Sequence, residues 1–298
     1  MTSTANSGAG AGPLLPAGSP RIVGIVNITE DSFSDGGRYL DPAAAIAHAA
    51  ALRADGADII ELGPAASHPD SAPVTAAQEQ QRLAPVLEQL TADGIPVSVD
   101  TFQPETQQFA IARGVGYVND IHGFSDPGIY PVLAGSGCRL IVMHAVQPAG
   151  PATKVATDAA AVWSGIGRFF TSRLAALQAA GISRDRLIID PGLGYFLGSS
   201  PEPSLAVLAR IRELKEAFGV PVLISPSRKS FLRALTGRGI AQSGAATLAA
   251  EIFAAWQGAD YIRTHDVAAA RDALTVLSAI ARQAAACPPG TPGTGPGD

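Results

Sequence analysis

The sequence predicts an α/β fold: a single TIM (β/α)8 barrel with disordered N- and C-terminal tails. Three observations predict it. Apolar runs of strand length alternate eight times with segments of helical period or composition. The strand runs are continuously apolar, as in a parallel sheet covered on both faces. Polar residues gather where those runs end, the rim at which such barrels carry their chemistry. A doubly wound open sheet is the weaker alternative.

The elements follow in order. The first strand, 22–27, leads to a helix over 41–55 opened by Asp41 as N-cap. The second, 58–63, starts from Gly56-Ala57-Asp58 and precedes a helix over 75–92. The third, 95–100, begins with Pro96 after Gly94, and its helix spans 104–113. Strands four and five, 115–119 and 138–143, are followed by helices at 127–135 and 158–180. Strand six, 187–190, precedes a helix over 202–217. Strand seven, 221–225, again starts behind Gly219 with a proline, and Ser243 caps the helix at 243–257. Strand eight, 260–263, repeats the Gly-Ala-Asp connector at Gly258-Ala259-Asp260 and is followed by a helix at 267–285.

Composition sets the limits. The chain has 298 residues, 47% of them hydrophobic, enough for a large core in one barrel spanning 21–285. A net charge of −5 with no basic run argues against nucleic acid as a partner. No apolar stretch is long enough to span a membrane. Residues 1–20 and 286–298 are rich in Gly, Ala, Ser and Pro and read as disordered tails, the first without the features of a signal peptide. Two cysteines, Cys138 and Cys287, give no disulfide framework and fit a reducing cytoplasm.

The segment Val26-Asn27-Ile28-Thr29-Glu30-Asp31-Ser32-Phe33-Ser34-Asp35-Gly36-Gly37 runs straight out of the first strand. It fits an active-site lid: Asn27 is fixed at a strand end, the acids and hydroxyls offer oxygens, and the glycines let the loop close. A plain solvated loop is the bland alternative. The other strand ends favour the lid, since they deliver Ser67-His68-Pro69, Asp100, Asn119-Asp120, Met143-His144, Asp190, Ser227-Arg228-Lys229-Ser230 and Arg263-Thr264-His265. One such residue is more often a helix cap; so many on one rim are not explained by capping.

These groups sort into two zones. Asp100, Asn119 and Asp190 offer acceptors and one amide, suited to a flat heterocycle with an amino-pyrimidinone edge, and Met143 offers an apolar surface beneath the ring. Lys229, Arg263 and His265 come from strands seven and eight, where barrels often bind phosphate. Asn27 lies beside them and is placed to hold Mg²⁺ bridging phosphate oxygens.

On these residues the sequence resembles dihydropteroate synthases. The matching blocks are Gly24-Ile25-Val26-Asn27, Asp31 to Gly37, Ala57-Asp58-Ile59-Ile60, Ser98-Val99-Asp100-Thr101, Val118-Asn119-Asp120-Ile121, Asp190-Pro191-Gly192, Ser227-Arg228-Lys229-Ser230 and Arg263-Thr264-His265-Asp266. The resemblance implies condensation of 7,8-dihydropterin pyrophosphate with p-aminobenzoate, giving 7,8-dihydropteroate and pyrophosphate. It implies a pterin site of Asp100, Asn119, Met143, Asp190 and Lys229, and a pyrophosphate and Mg²⁺ site of Asn27, Arg263 and His265. The p-aminobenzoate site would be bordered by Phe33, Asp35, Ser67, Pro69 and Ser230. Asp100, Asp190, Lys229, Arg263 and His265 would carry the catalysis, and the helix at 266–285 would form a homodimer face, which the residues alone do not separate from ordinary barrel packing.

Two loops depart from the common pattern of the family. Gly-Gly-Glu-Ser-Thr-Arg-Pro-Gly becomes Gly63-Pro64-Ala65-Ala66-Ser67-His68-Pro69-Asp70, with His68 for arginine. After strand six the loop is longer and reads Asp190-Pro191-Gly192-Leu193-Gly194-Tyr195-Phe196-Leu197-Gly198. Both resemble the sulfonamide-insensitive branch carried on mobile resistance elements. An aromatic wall from Tyr195 or Phe196 would clash with the out-of-plane substituent of a sulfonamide and spare flat p-aminobenzoate; neutral loop variation is the alternative.

Two competing functions stay open from sequence. One is a pterin-binding methyltransferase domain, disfavoured by Ser227-Arg228-Lys229-Ser230 with Arg263 and His265. The other is a non-catalytic pterin binder, for which His68 is the best argument. His48 reads as a helix-surface residue, His122 and His144 as rim-shaping, and Trp163 and Trp256 as packing; no zinc site is visible.

Overall fold

The computed structural model describes residues 18–29, 41–66, 71–147 and 150–286. Eight strands are present: β1 (Arg21–Asn27), β2 (Ile59–Gly63), β3 (Val97–Asp100), β4 (Tyr117–Asp120), β5 (Arg139–Met143), β6 (Leu187–Asp190), β7 (Leu223–Ile224) and β8 (Tyr261–Thr264). They form one parallel sheet in the order β6-β5-β4-β3-β2-β1-β8-β7. β8 pairs with β1, and a parallel bridge between Ile189 and Val222 joins β6 to β7, so the sheet curls into the predicted barrel and the open-sheet alternative falls.

The helices are α1 (Pro42–Ala54), α2 (Ala76–Ala92), α3 (Pro104–Ile111), α4 (Tyr130–Gly135), α5 (Ala159–Ala179), α6 (Glu202–Ala209), α7 (Ile211–Phe218), α8 (Ser230–Thr236), α9 (Gly244–Trp256) and α10 (Val267–Ala286). Local chemistry explains their starts. Asp41 accepts from the Ala43 amide, and Thr75 with Gln78 forms a capping box on α2. On α5, Val162, Ile166, Phe170, Leu174 and Leu177 are buried at helical spacing.

The period of two along each strand divides the interior. Ile22, Val26, Ile60, Leu62, Val97, Val99, Val118, Leu140, Val142, Leu187, Ile189 and Ile262 face outward and pack with the helices in one large cluster. Val23, Ile59, Tyr117, Ile141, Ile188, Leu223 and Tyr261 face inward as a separate apolar layer with residues from seven of the eight strands. Two residues further along, the inward positions are Glu61, Asn119, Met143, Asp190, Ser225 and Arg263. The hydrophobic layer therefore becomes the floor of a polar layer by strand geometry alone.

Several expectations need correction. The predicted helix at 127–135 is a 3-10 turn, Pro127–Ile129, followed by the short α4. The helix at 202–217 breaks at Arg210 into α6 and α7. Strand seven shrinks to two residues because the Asp260 side chain, held by Lys215, takes the Val222 amide in place of a longer ladder. An unpredicted helix, α8, lies between β7 and α9. Ser243 makes no side-chain capping bond; its hydroxyl donates back to the Ile240 carbonyl. His48 is half-buried on α1, and Trp256 is 46% exposed, so it is not a core residue, whereas Trp163 packs against the core beneath the Arg210 guanidinium. The predicted tails, apart from 18–20 and Ala286, lie outside the described residues.

Candidate functional site

At the C-terminal rim a single cleft is lined by Asn27, Asp100, Asn119, Met143, Asp190, Tyr195, Phe196, Lys229, Ser230, Arg263 and His265. Every described member of the sequence-predicted site is thus in one place. Phe33, Asp35, Ser67 and Pro69, with His68 and residues 30–37 of the proposed lid, lie outside the described residues.

The polar side of the cleft is a network of charges. Arg263 pairs through Nε with Glu61 and through Nη2 with Asp100 at 3.0 Å, while Nη1 reaches the Ser225 hydroxyl at 3.4 Å. The two zones expected from sequence therefore meet at Arg263, because its guanidinium is long enough to cross from β8 to β3. Glu61 is fully buried and also accepts from the Ser98 hydroxyl at 2.8 Å and the Asn119 amide at 3.2 Å. Sequence reasoning missed it. It lies two residues inside an apolar run, and the lone acid in Ile59-Ile60-Glu61-Leu62 was the available signal. Ser225, Thr29 and Arg233 also line the cleft and were missed.

Electrostatics follow from burial. Burial pushes the Asp100 carboxyl up to about 7, against the lowering pull of Arg263 and with a further push from Glu61. Burial likewise raises Asp190 to about 6, opposed by the Gly192 amide that donates to it at 2.8 Å. Lys229 is lowered to about 8 by burial and by Arg263. His265 is driven well below its usual value by burial and by the cations Arg228, Arg263 and Lys229; its Nδ1 stands 2.9 Å from the Ser227 hydroxyl. Both effects favour the neutral imidazole.

Backbone strain aims the cation. Arg228 adopts a left-handed φ of 59°, costly for a residue with a side chain, and its amide is held by the Thr247 hydroxyl at 3.1 Å. That turn delivers Lys229 to the cleft. The apolar side is a cluster of Ile121, Met143, Ala152 and Phe196, with Tyr195 packed against it. Arg233 adds a buried Nε without a hydrogen-bond partner among the described residues. His122 and His144 are satisfied by the Gly150 and Pro191 carbonyls, respectively, and lie outside the cleft lining.

For Mg²⁺, the described residues hold no cluster of three or more His, Cys, Asp or Glu side chains suited to a metal. The donors available near Asn27 are hard oxygens, including the buried Thr29 hydroxyl in the same cleft, which has no hydrogen-bond partner among the described residues. That set suits an ion carried mainly by a ligand's phosphates.

Comparison with known proteins agrees with this geometry. A family model described as pterin binding enzyme matches residues 23–265. The chain is 60% identical over 259 residues to the dihydropteroate synthase type-2 of Escherichia coli, covering 87% of this chain and 95% of that protein. It is 52% identical over 260 residues to the Escherichia coli dihydropteroate synthase type-3, covering 87% and 99%. The solved dihydropteroate synthase of Xanthomonas albilineans in complex with 7,8-dihydropteroate superposes with a TM-score of 0.76 at 40% identity, covering 88% of this chain and 94% of that one. By the match along its barrel and by these relatives, the chain belongs to the pterin binding enzymes, in the dihydropteroate synthase family.

Proposed function

We propose that the protein condenses 7,8-dihydropterin pyrophosphate with p-aminobenzoate to give 7,8-dihydropteroate and pyrophosphate, a step of folate biosynthesis. The observation that carries this reading is the convergence of Asp100, Asn119 and Asp190 with Lys229 in one cleft above an apolar floor. Carboxylates and an amide oxygen match the N–H groups of a pterin edge, and Asn119 Oδ1 is buried with no partner among the described residues. Met143 and Ile121 offer the ring an apolar face.

The chemistry follows from these groups. The bond from the pterin methylene carbon to the pyrophosphate oxygen breaks, and its electron pair leaves with pyrophosphate. Asp100 and Asp190 stabilise the positive charge that develops on the pterin. Arg263 and neutral His265 donate to the leaving oxygens. The unprotonated arylamine then forms the carbon–nitrogen bond and releases one proton. Asn27 would hold a Mg²⁺ at this end of the cleft, and the ion would supply further neutralisation of the leaving group. The rate should be insensitive to the nucleophilicity of substituted p-aminobenzoates; a steep dependence would reject dissociation before attack.

The p-aminobenzoate end lies at Tyr195, Phe196 and Ser230, where the Arg233 cation suits the carboxylate. Phe196 projects into this end from the lengthened loop and supports reduced sulfonamide sensitivity through steric exclusion. A homodimer is supported by α10, on which Val276 and Ile280 are exposed four residues apart. The buried free thiol of Cys138 fits a cytoplasmic location, and no described helix is long and apolar enough to cross a membrane. Pyrophosphate release with both substrates and Mg²⁺, across a sulfamethoxazole titration, tests the proposal. Turnover that persists at high drug is the expected result. No turnover overturns the synthase reading, and turnover blocked at low drug overturns only the insensitivity.

A further inference from the structure

Glu61 is outside the cleft lining, yet its carboxylate reaches both walls of it. The register sets it opposite Ser98 on β3, with its side chain inside the barrel above Ile59. One oxygen accepts from Arg263 of β8, and the other from Ser98 of β3 and Asn119 of β4. We infer that Glu61 is a positioning residue: one fully buried carboxylate orients the Arg263 fork and fixes the Asn119 amide so that both present the correct atoms to a pterin.

The argument rests on donor and acceptor polarity. Because Asn119 Nδ2 donates to Glu61, its Oδ1 points elsewhere and is left buried without a partner among the described residues. A pterin N–H would satisfy that oxygen. With the amide reversed, an NH₂ would face the donors of the pterin edge, a repulsive pairing. The same carboxylate takes Arg263 Nε, which turns Nη2 onto Asp100 Oδ2 and leaves Asp100 Oδ1 for the ligand. A Ser98 hydroxyl at 2.8 Å holds Glu61 itself in place.

Glu61 also contributes charge. The groups that act on Asp100 are Glu61 from β2 and Asp120 from β4, both raising it, and Arg263 from β8 and Lys229 after β7, both lowering it. Glu61→Gln removes a negative charge and releases Arg263 toward Asp100. Both changes favour the ionised carboxylate, so the acid limb of a pH profile moves to lower pH.

This inference rests on the proposed reaction, and wild-type turnover tests that reaction separately. In an enzyme whose wild type turns over, Glu61→Gln is expected to raise the KM for dihydropterin pyrophosphate at least about tenfold, with the KM for p-aminobenzoate within about twofold. The acid limb of kcat/KM for the pterin substrate should move down. Glu61→Asp, which keeps the charge but shortens the reach, should return the limb to its wild-type position without restoring KM. A fall in melting temperature and kcat with an unchanged pterin KM and an unmoved limb overturns the inference, as does a variant that behaves like wild type. If Glu61→Gln does not fold, Ser98→Ala gives the same test: a selective rise in pterin KM supports the inference and an unchanged one overturns it.

Discussion

The ammonium of Lys229 stands 4.8 Å from the centre of the Phe196 ring. The contact ties the loop after β6, which borders the proposed p-aminobenzoate end, to a cation that faces Asp190 and Asp100. An aromatic face under a buried cation contributes about 0.5–2 kcal/mol. Phe196 therefore supports the charge of Lys229, beside the role of a wall proposed for it at the other end of the cleft.

Replacing it separates them. Phe196→Ala should lower the inhibition constant of sulfamethoxazole at least about tenfold through loss of the wall. The pterin KM should rise by roughly two- to thirtyfold through loss of the cation contact. Inhibition and substrate kinetics on the same preparation decide it; an active variant with unchanged drug response rejects the steric account.

The pH dependence of kcat/KM for the pterin substrate should be narrow. Asp100 and Asp190 must be ionised to accept from the pterin, and burial has raised them to about 7 and about 6. Activity therefore falls as pH drops through that range. On the alkaline side Lys229, lowered to about 8, loses its proton and activity falls again. A profile flat from pH 5.5 to 9 rejects these assignments.

Glu251 on α9 offers a stability test outside the cleft. It is 3% exposed, its Oε1 has no hydrogen-bond partner among the described residues, and burial raises its carboxyl from 4.5 to about 7, against the lowering effect of the Thr264 hydroxyl. A carboxyl raised on folding destabilises the ionised form above pH 7, and that penalty disappears as pH falls toward 4.5. Glu251→Gln removes it. The variant should gain on the order of 1–3 kcal/mol over wild type at pH 8, with the gain shrinking toward pH 5. Melting temperatures across this range check the sign, and a gain independent of pH contradicts it.

Gly192 should tolerate no side chain. Its φ is 74°, and a Cβ there would stand 2.4 Å from the His144 carbonyl oxygen. Its amide also holds Asp190 Oδ1. Gly192→Ala is expected to cost on the order of 2 kcal/mol or more and to weaken pterin binding by displacing Asp190. Denaturant midpoints and pterin KM measure the two effects, and a variant unchanged in both rejects the close-approach argument.

The sequence disclosed the barrel because apolar runs of strand length alternate eight times with helical segments, and glycine connectors mark four of the strand entries, at Gly56, Gly94, Gly219 and Gly258. The rim residues were legible for the same reason: a strand end is a placement. Glu61 was not, because its importance comes from reaching across the barrel to Asn119 and Arg263, separations of 58 and 202 residues that no local pattern encodes. The break at Arg210 was hidden because α6 and α7 lie in one continuous run of helix-compatible residues. The short α8 was hidden because seven residues following Lys229 show too little period to be read as a helix.

The inner layers of the barrel have a consequence for mutational maps. Ile59 belongs to the apolar ring and Glu61 to the charged one above it, while Ile60 and Leu62 face the helices. A saturation scan along β2 should therefore yield phenotypes in a repeating order rather than a gradient. Substitutions at 59, 60 and 62 should lower abundance and be rescued by cooler growth. Those at 61 should leave abundant protein whose defect is relieved by excess pterin substrate, and the same two-residue step should recur between Tyr117 and Asn119 and between Tyr261 and Arg263.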